Sequence, residues 1–381
     1  MKILIMIDSF KGSLSSSDAG NIIKDEIEKL NPREDIIVLP VADGGEGTVE
    51  SMSELDGASL IEVQVENPLF EKILGNYVII KDKNLAIMEM SQAAGLVLIK
   101  DRLSPLRAST YGVGTMIKDA LDKGIRNFII GIGGSATNDG GVGMLQALGF
   151  RFYDKNANEI PPSNEGLKDL SKIDLSNADP RLKECSFKIA CDVDNPLTGK
   201  RGSAKVYGPQ KGANPNEVEI IDDNLSLFHK KTMEVITNAD DIYPGVGAAG
   251  GLGYAFKNYL GAELSPGIEL ILQMLNVKDY LSEADLVITG EGKIDFQSSM
   301  GKAPTGVAKL AKAYGSKVIA FAGVVDNDAV EVNNYGIDAF FPILDQIRSV
   351  EDAMDAKIAE ENLRRCVNPV SYTHLTLPTK A

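Results

Sequence analysis

Apolar residues gather in short blocks at 3–7, 36–39, 128–132, 187–190, 286–289 and 318–322, and the stretches between them carry helical period. Blocks of this length, each followed by an amphipathic segment, predict buried parallel strands joined by crossover helices, an α/β architecture with a doubly wound sheet. Between residues 59 and 90 the rhythm changes. Three β-rich runs, SLIEVQVEN, KILGNYVII and LAIMEM, follow one another with only Asn67-Pro68 and Lys81-Asp82 as turn signals, a spacing that predicts antiparallel pairing. The pattern therefore predicts two α/β domains. A discontinuous Rossmann-like parallel-sheet domain takes 1–58 and 285–369, and a mixed-sheet α/β domain, 59–284, is inserted into it. Residues 351–365 read as a helix, whereas VSYTHLTLPTKA at 370–381 shows neither period and reads as translated adapter sequence outside the fold.

Composition narrows the classes. At 381 residues, 44% hydrophobic and 24% charged, the chain can fill two or three cores. A net charge of −15 disfavours nucleic acid and anionic membrane as partners. Asp8 interrupts the apolar opening MKILIMIDSF too early for a signal-peptide core, and no later run approaches a membrane span, so the cytoplasm is the expected location. Cys185, Cys191 and Cys366 lack the spacing of a zinc site or a disulfide framework. With the tail set aside, His229 is the single histidine, on an expected amphipathic helix with Ile221, Leu225 and Phe228. Acid–base chemistry then falls to carboxylates and lysines. A homo-oligomer is compatible with all of this.

In an open parallel sheet, ligands bind outside the carboxyl ends of the strands, and polar, glycine-rich sequence recurs at those points. After the first block comes IDSFKGSLSSSDAG, with Asp8, Lys11 and Ser13. After the second comes PVADGGEGTVESM, in which Asp43 and Glu46 flank Gly44 and Gly45. After a late block comes VITGEGKIDFQSSMGKAPTGVAKL, with Glu291, Lys293, Asp295 and Lys302. Singly, each segment could be a helix cap or a turn. Together they supply what phosphoryl transfer needs: amides and lysines for phosphate oxygens, carboxylates for Mg²⁺, and a base for the attacking hydroxyl. GIGGSATNDGG, residues 131–141, follows another apolar block and precedes an expected helix at 142–148, offering Gly133, Gly134, Ser135, Thr137, Asn138 and Asp139 to an anion. No P-loop spacing occurs. GVGAAG at 245–250 matches a dinucleotide fingerprint in letters but follows Ile242-Tyr243-Pro244 rather than a clear strand, so it is read as a helix entry or hinge ahead of a helical segment at 252–260.

The segments DSFKGSLS, ADGGEGT, GIGGSATNDGG, CDVDNPL, YGPQKGA, GAAGGLG and TGEGKIDFQS resemble, in sequence and in order, those of the bacterial glycerate kinase family, across residues 1–366. The resemblance implies two α/β domains, ATP as co-substrate with Mg²⁺, D-glycerate as acceptor and, in this branch, 2-phosphoglycerate as product. Under it, Ser135, Thr137 and Asn138 would face glycerate or phosphate, and Asp192 and Asp194 would position Mg²⁺ or take the hydroxyl proton. Asp192 is assigned as base, Asp43 as metal or nucleotide contact, and Asp194 as a further metal ligand. Lys11, Lys293 and Lys302 are the anion contacts, whereas Lys211, beside Gln210, fits substrate binding and a surface loop about equally. The remaining alternatives are a nucleotide-dependent oxidoreductase using GVGAAG and a non-catalytic sugar-acid sensor.

Overall fold

The computed structural model describes residues 1–295, 302–346 and 348–375. The chain divides into two compact units, one of Met1–Asp43, Glu50–Asp56 and the chain from Pro266 onward, the other of Gly44–Val49 and Gly57–Ser265. The return to the first unit thus falls at Pro266, ahead of residue 285. The amphipathic helices Gly267–Met274 and Val277–Leu281 pack their apolar faces into the core of the parallel sheet.

The first unit holds a five-stranded, fully parallel sheet in the order Ala339–Pro342, Lys317–Val325, Leu286–Ile294, Lys2–Ile5, Asp35–Val38. Alternation along the first strand builds two cores. Ile3, Ile5 and Ile7 meet Ile23 and Ile27 of the helix Ser16–Leu30 and Leu363 and Val367 of Ala356–Leu375. Leu4 and Met6 meet Ile268, Val307 and Ala311 on the opposite face. Ser15 caps Ser16–Leu30, its hydroxyl accepting from the Asp18 N–H at 3.1 Å. From the strand Lys2–Ile5 the chain proceeds to Asp35–Val38 on one side, while Leu286–Ile294 and its successors fill the other. The order reverses between Lys2–Ile5 and Leu286–Ile294, the position where doubly wound sheets take ligands. The expected single helix at 351–365 is broken at Asp355, whose ψ of 126° is extended, into Val350–Met354 and Ala356–Leu375. That last helix corrects the aperiodic reading of 370–381, because it passes through Pro369 and continues to Leu375, with Val370 buried in the core. Residues 376–381 lie outside the described residues.

In the second unit a six-stranded mixed sheet runs Glu263–Ser265, Ser186–Ala190, Asn127–Gly131, Leu85–Glu89, Lys72–Ile80, Ala58–Glu66. The last three strands pair antiparallel, as their close spacing predicts, and the first four are parallel. One continuous core joins the sheet to Tyr111–Asp122, Pro215–Met233 and Ala248–Leu260. Asn214 and Glu217 form a reciprocal capping box at the start of Pro215–Met233. His229 on that helix is half-buried, its Nδ1 2.8 Å from the Tyr254 hydroxyl.

Candidate functional site

Three carboxylates meet at the carboxyl edge of the first unit's sheet. Beyond Ile5 the chain keeps pairing: the Met6 N–H donates to the Ile288 carbonyl at 2.8 Å and the Asp8 N–H to the Gly290 carbonyl at 2.9 Å. Asp8 is thereby fixed beside the strand that carries Glu291, and both are buried. Ser16, fully buried, joins the next strand end to this one. Its hydroxyl donates to the Ile7 carbonyl at 2.5 Å and accepts from the Val41 N–H at 3.1 Å, placing the segment that ends in Asp43 nearby. Burial pushes the Asp8 carboxyl up to about 8; the neighbouring Asp43 and Glu291 charges add to the rise, while the Ser9 N–H at 2.7 Å and Lys11 oppose it. Phe10 and Leu14 close a tight turn through paired backbone hydrogen bonds, with Gly12 at φ +76°, and this turn presents Lys11 to solvent and carries Ser13. Lys293 faces two carboxylates, Asp295 at 3.3 Å and Asp326 at 3.1 Å, which hold its ammonium above the usual range. Lys302 stands immediately before the helix Ala303–Ala313. Residues 296–301 of the same glycine-rich stretch lie outside the described residues.

The second unit presents two stacked glycine loops at its own strand ends. Gly131 ends a central strand so close to residues 44–49 that a β-carbon there would lie 2.0 Å from the Gly44 carbonyl oxygen. Glu89, at the end of the adjacent strand and in register with Gly131, ties the two together. Its buried carboxylate accepts from the Val49 N–H at 2.6 Å and the Ser91 hydroxyl at 3.0 Å. Burial pushes the Glu89 carboxyl up; these donors and the Gly47 backbone pull it down, and Glu46 raises it again. Gly133 and Gly134 are exposed and Ser135 is half-buried, so the front of the loop offers backbone to solvent. Its rear is internal: Thr137, Asn138 and Asp139 are fully buried. The Asp139 carboxylate accepts from the N–H and hydroxyl of Thr110, both at 2.8 Å, and from the Gly141 and Gly143 N–H groups at 3.1 Å. Lys211 is no surface-loop residue. It is 1% exposed, its ammonium donates to the Thr137 carbonyl at 2.7 Å, and burial lowers its pKa to about 7 against the opposing pull of Asp139. Asp139 and Lys211 hold the loop from within.

GAAGGLG is the buttress of this loop. Ala249, Gly250 and Gly251 all have positive φ, and the Gly250 carbonyl accepts from the Gly140 N–H at 2.9 Å. A β-carbon at Gly250 would lie 1.9 Å from the Thr137 oxygen. No described strand leads directly into this segment, consistent with a helix entry. Past the strand Ser186–Ala190, Asp192 and Asp194 are both exposed, and Asp194 forms an ion pair with Arg201 at 2.6 Å. Among the described residues, no three acidic, histidine or cysteine side chains form a ready metal cluster. Glu89 escapes a reading of the sequence because it stands in no glycine-rich motif, and Ser16 because it is one of three consecutive serines ahead of a helix, any of which reads as a cap. The signal available for Glu89 was a charge ending an otherwise apolar strand, LAIME.

A sequence profile described as the glycerate kinase family matches residues 3–374. A protein of Escherichia coli named glycerate 2-kinase is 43% identical over 377 residues, covering 98% of each chain. One of Halalkalibacterium halodurans named glycerate kinase is 44% identical over 353 residues, 92% of this chain and 93% of the relative. The crystal structure of a protein designated glycerate kinase 2 from Salmonella typhimurium LT2 superposes with a TM-score of 0.90 at 42% identity, covering 98% of each chain.

Proposed function

Because the chain belongs to the glycerate kinase family, we propose that it phosphorylates D-glycerate with ATP and Mg²⁺, at the 2-hydroxyl, by direct in-line transfer. The observation that carries the chemistry is the group of buried Asp8 and Glu291 with half-buried Asp43 at the reversal point of the parallel sheet, close in sequence to the lysine-bearing turn at Phe10–Leu14. Mutually repelling carboxylates with hard oxygen donors fit Mg²⁺, which would supply charge neutralisation of the phosphates when bound. Asp43 would contact it, with the phosphate oxygens of the donor completing its shell, and Asp8 and Glu291 would add negative potential around it, since among the described residues the three carboxylates do not by themselves form a metal cluster. Lys11 contacts a phosphate oxygen or the glycerate carboxylate, with Ser13 beside it. Lys293 and Lys302 add positive potential at the same strand end, the former steadied by Asp295 and Asp326.

The exposed amides of Gly133 and Gly134, together with Ser135, bind an anionic oxygen, and Gly44, Gly45 and Glu46 face that same loop's stem. Thr137, Asn138, Asp139 and Lys211 set its shape. Asp192, exposed after its strand, takes the proton from the attacking hydroxyl. Asp194 serves as a second cation contact only when it leaves Arg201. Direct transfer follows from the lack of a histidine in any of the glycine-rich strand-end segments, His229 lying instead on the helix Pro215–Met233. The test is a coupled ADP-release assay with D-glycerate, ATP and Mg²⁺, with the product identified by ³¹P and ¹H NMR. Formation of 3-phosphoglycerate refutes the 2-hydroxyl assignment. Stable stoichiometric labelling of the protein by γ-labelled ATP without glycerate refutes direct transfer.

A further inference from the structure

We propose that a cavity of about 270 Å³ within the first unit receives the purine nucleoside of the phosphoryl donor. This deepens the kinase reading above and rests on it for the identity of the donor. The cavity opens beside the turn that carries Lys11 and Ser13 and reaches the strand ends at Gly292 and Gly323. Its walls are largely apolar, with Phe10, Val324, Ile343 and Met354 among them. Its polar groups include three donors that find no acceptor among the described residues. The Ser13 hydroxyl, the Arg348 Nε–H and the Asn362 amide nitrogen all line it, and each is buried with no hydrogen-bond partner among the described residues. Asn362 is 3% exposed, and its own oxygen accepts from Arg365 at 3.4 Å, leaving the amide N–H groups for a ligand.

Buried donors left without acceptors are costly, so a site containing three of them is complementary to a ligand that brings acceptors. A purine offers unprotonated ring nitrogens and a ribose offers hydroxyl oxygens, on a flat body that apolar walls cover well. A three-carbon hydroxy acid has neither the apolar surface nor the size. The volume lies near the lower end of the roughly 300–1,000 Å³ common for small-molecule sites, enough for a nucleoside with its phosphates outside. Two large apolar side chains on the short helix Val350–Met354 support an absent cover: Val350 is 76% and Met354 44% exposed, and both line the cavity. Lys11, exposed on the same wall and close in sequence to Asp8, then stands where the phosphates leave the cavity for the carboxylate group.

Ala353, half-buried in the cavity wall, gives the direct test. Ala353→Trp fills the space, and Asn362→Leu removes a donor while keeping the volume. Calorimetric titration with adenosine and with a non-hydrolysable ATP analogue should show binding to the wild type and weakening of about tenfold or more in each variant. The KM for ATP should rise in parallel while the KM for D-glycerate stays within about twofold. Unchanged analogue affinity in a folded Ala353→Trp or Asn362→Leu protein overturns the assignment even if the wild type phosphorylates glycerate. A rise in the glycerate KM alone overturns it as well. If the wild type binds the analogue and loses it on Ala353→Trp yet never phosphorylates glycerate, the cavity stands and the acceptor reading fails.

Discussion

Replacing Asp8 by Asn should stabilise the first unit at pH 8 while removing activity. The folded Asp8 carboxyl holds its proton up to about pH 8, whereas an unfolded aspartate releases it near its ordinary value of 3.8. Between those values the native state binds a proton that the unfolded chain has lost, so stability falls as pH rises through that window. Asp8 is 5% exposed, so solvent screens this little. At about 1.4 kcal/mol per pH unit the full window corresponds to at most roughly 5 to 6 kcal/mol. Shared relaxation of Asp43 and Glu291 makes ~2 to 4 kcal/mol the working expectation. For a unit of this size that is on the order of 5 to 15 °C in Tm. Differential scanning calorimetry from pH 5 to 9 should therefore show the wild-type transition descending and the Asp8→Asn transition holding nearly level, the two separating most above pH 7. Mg²⁺ with the ATP analogue should raise the wild type more than the variant, because a cation relieves the repulsion that the substitution has already reduced. Parallel profiles across the range would falsify the claim that Asp8 is a strained, buried carboxyl.

Lys211→Met should act in the opposite direction of pH: the buried amine loses its proton near 7 in the folded state and near 10.5 in the unfolded chain, so wild-type stability gains as pH rises between them, and the variant should lack that gain in urea melts. The same substitution leaves the Thr137 carbonyl without its donor, a cost of about 1 to 3 kcal/mol near pH 7, and a variant as stable as wild type at both ends of the range would remove Lys211 from its supporting role. Gly131→Ala drives a β-carbon against the Gly44 oxygen and should cost about 1 to 3 kcal/mol together with most of kcat/KM; unchanged kinetics would mean that the two loops need not touch. Lys11→Met should retain the melting profile and lose roughly 10² to 10³ in kcat/KM, and turnover within about threefold of wild type would make Lys11 an ordinary surface lysine.

The position of the second unit's glycine loop at a strand end was legible in the sequence, and the internal roles of its residues were not. GIGGSATNDGG reads in sequence either as backbone offered to an anion or as a tight turn, since glycine serves both. Nothing in the string separates its exposed front, Gly133 to Ser135, from its buried rear, Thr137 to Asp139. Lys211 is the sharpest case. A lysine between glutamine and glycine is solvated in most proteins, and only packing against Thr137 reveals that its stem and ammonium are enclosed. Glu89 was invisible for the converse reason, since a single charge at a strand end is an ordinary solvated terminus until another loop is laid over it.

The amino-acid pattern alone determined the elements: six apolar blocks became strands, three close runs became an antiparallel arm, and the glycine-rich segments fell at the carboxyl ends of the strands. Periodicity carries that information because burial on one or two faces is a property of neighbouring residues in sequence. Tertiary structure decided which distant residues share an environment. Asp8, Asp43 and Glu291 come from three separate strand ends, and the Asp8 carboxyl is perturbed because strand order brings the other two to it. Sequence likewise missed that Gly267–Met274 belongs with the parallel sheet, since its apolar face fits any core and only the packing of Ile268 and Leu272 against Val307 and Ala311 selects one. Burial, and with it desolvation and altered proton affinity, is set by what the rest of the chain lays over a residue, which no local stretch of sequence encodes.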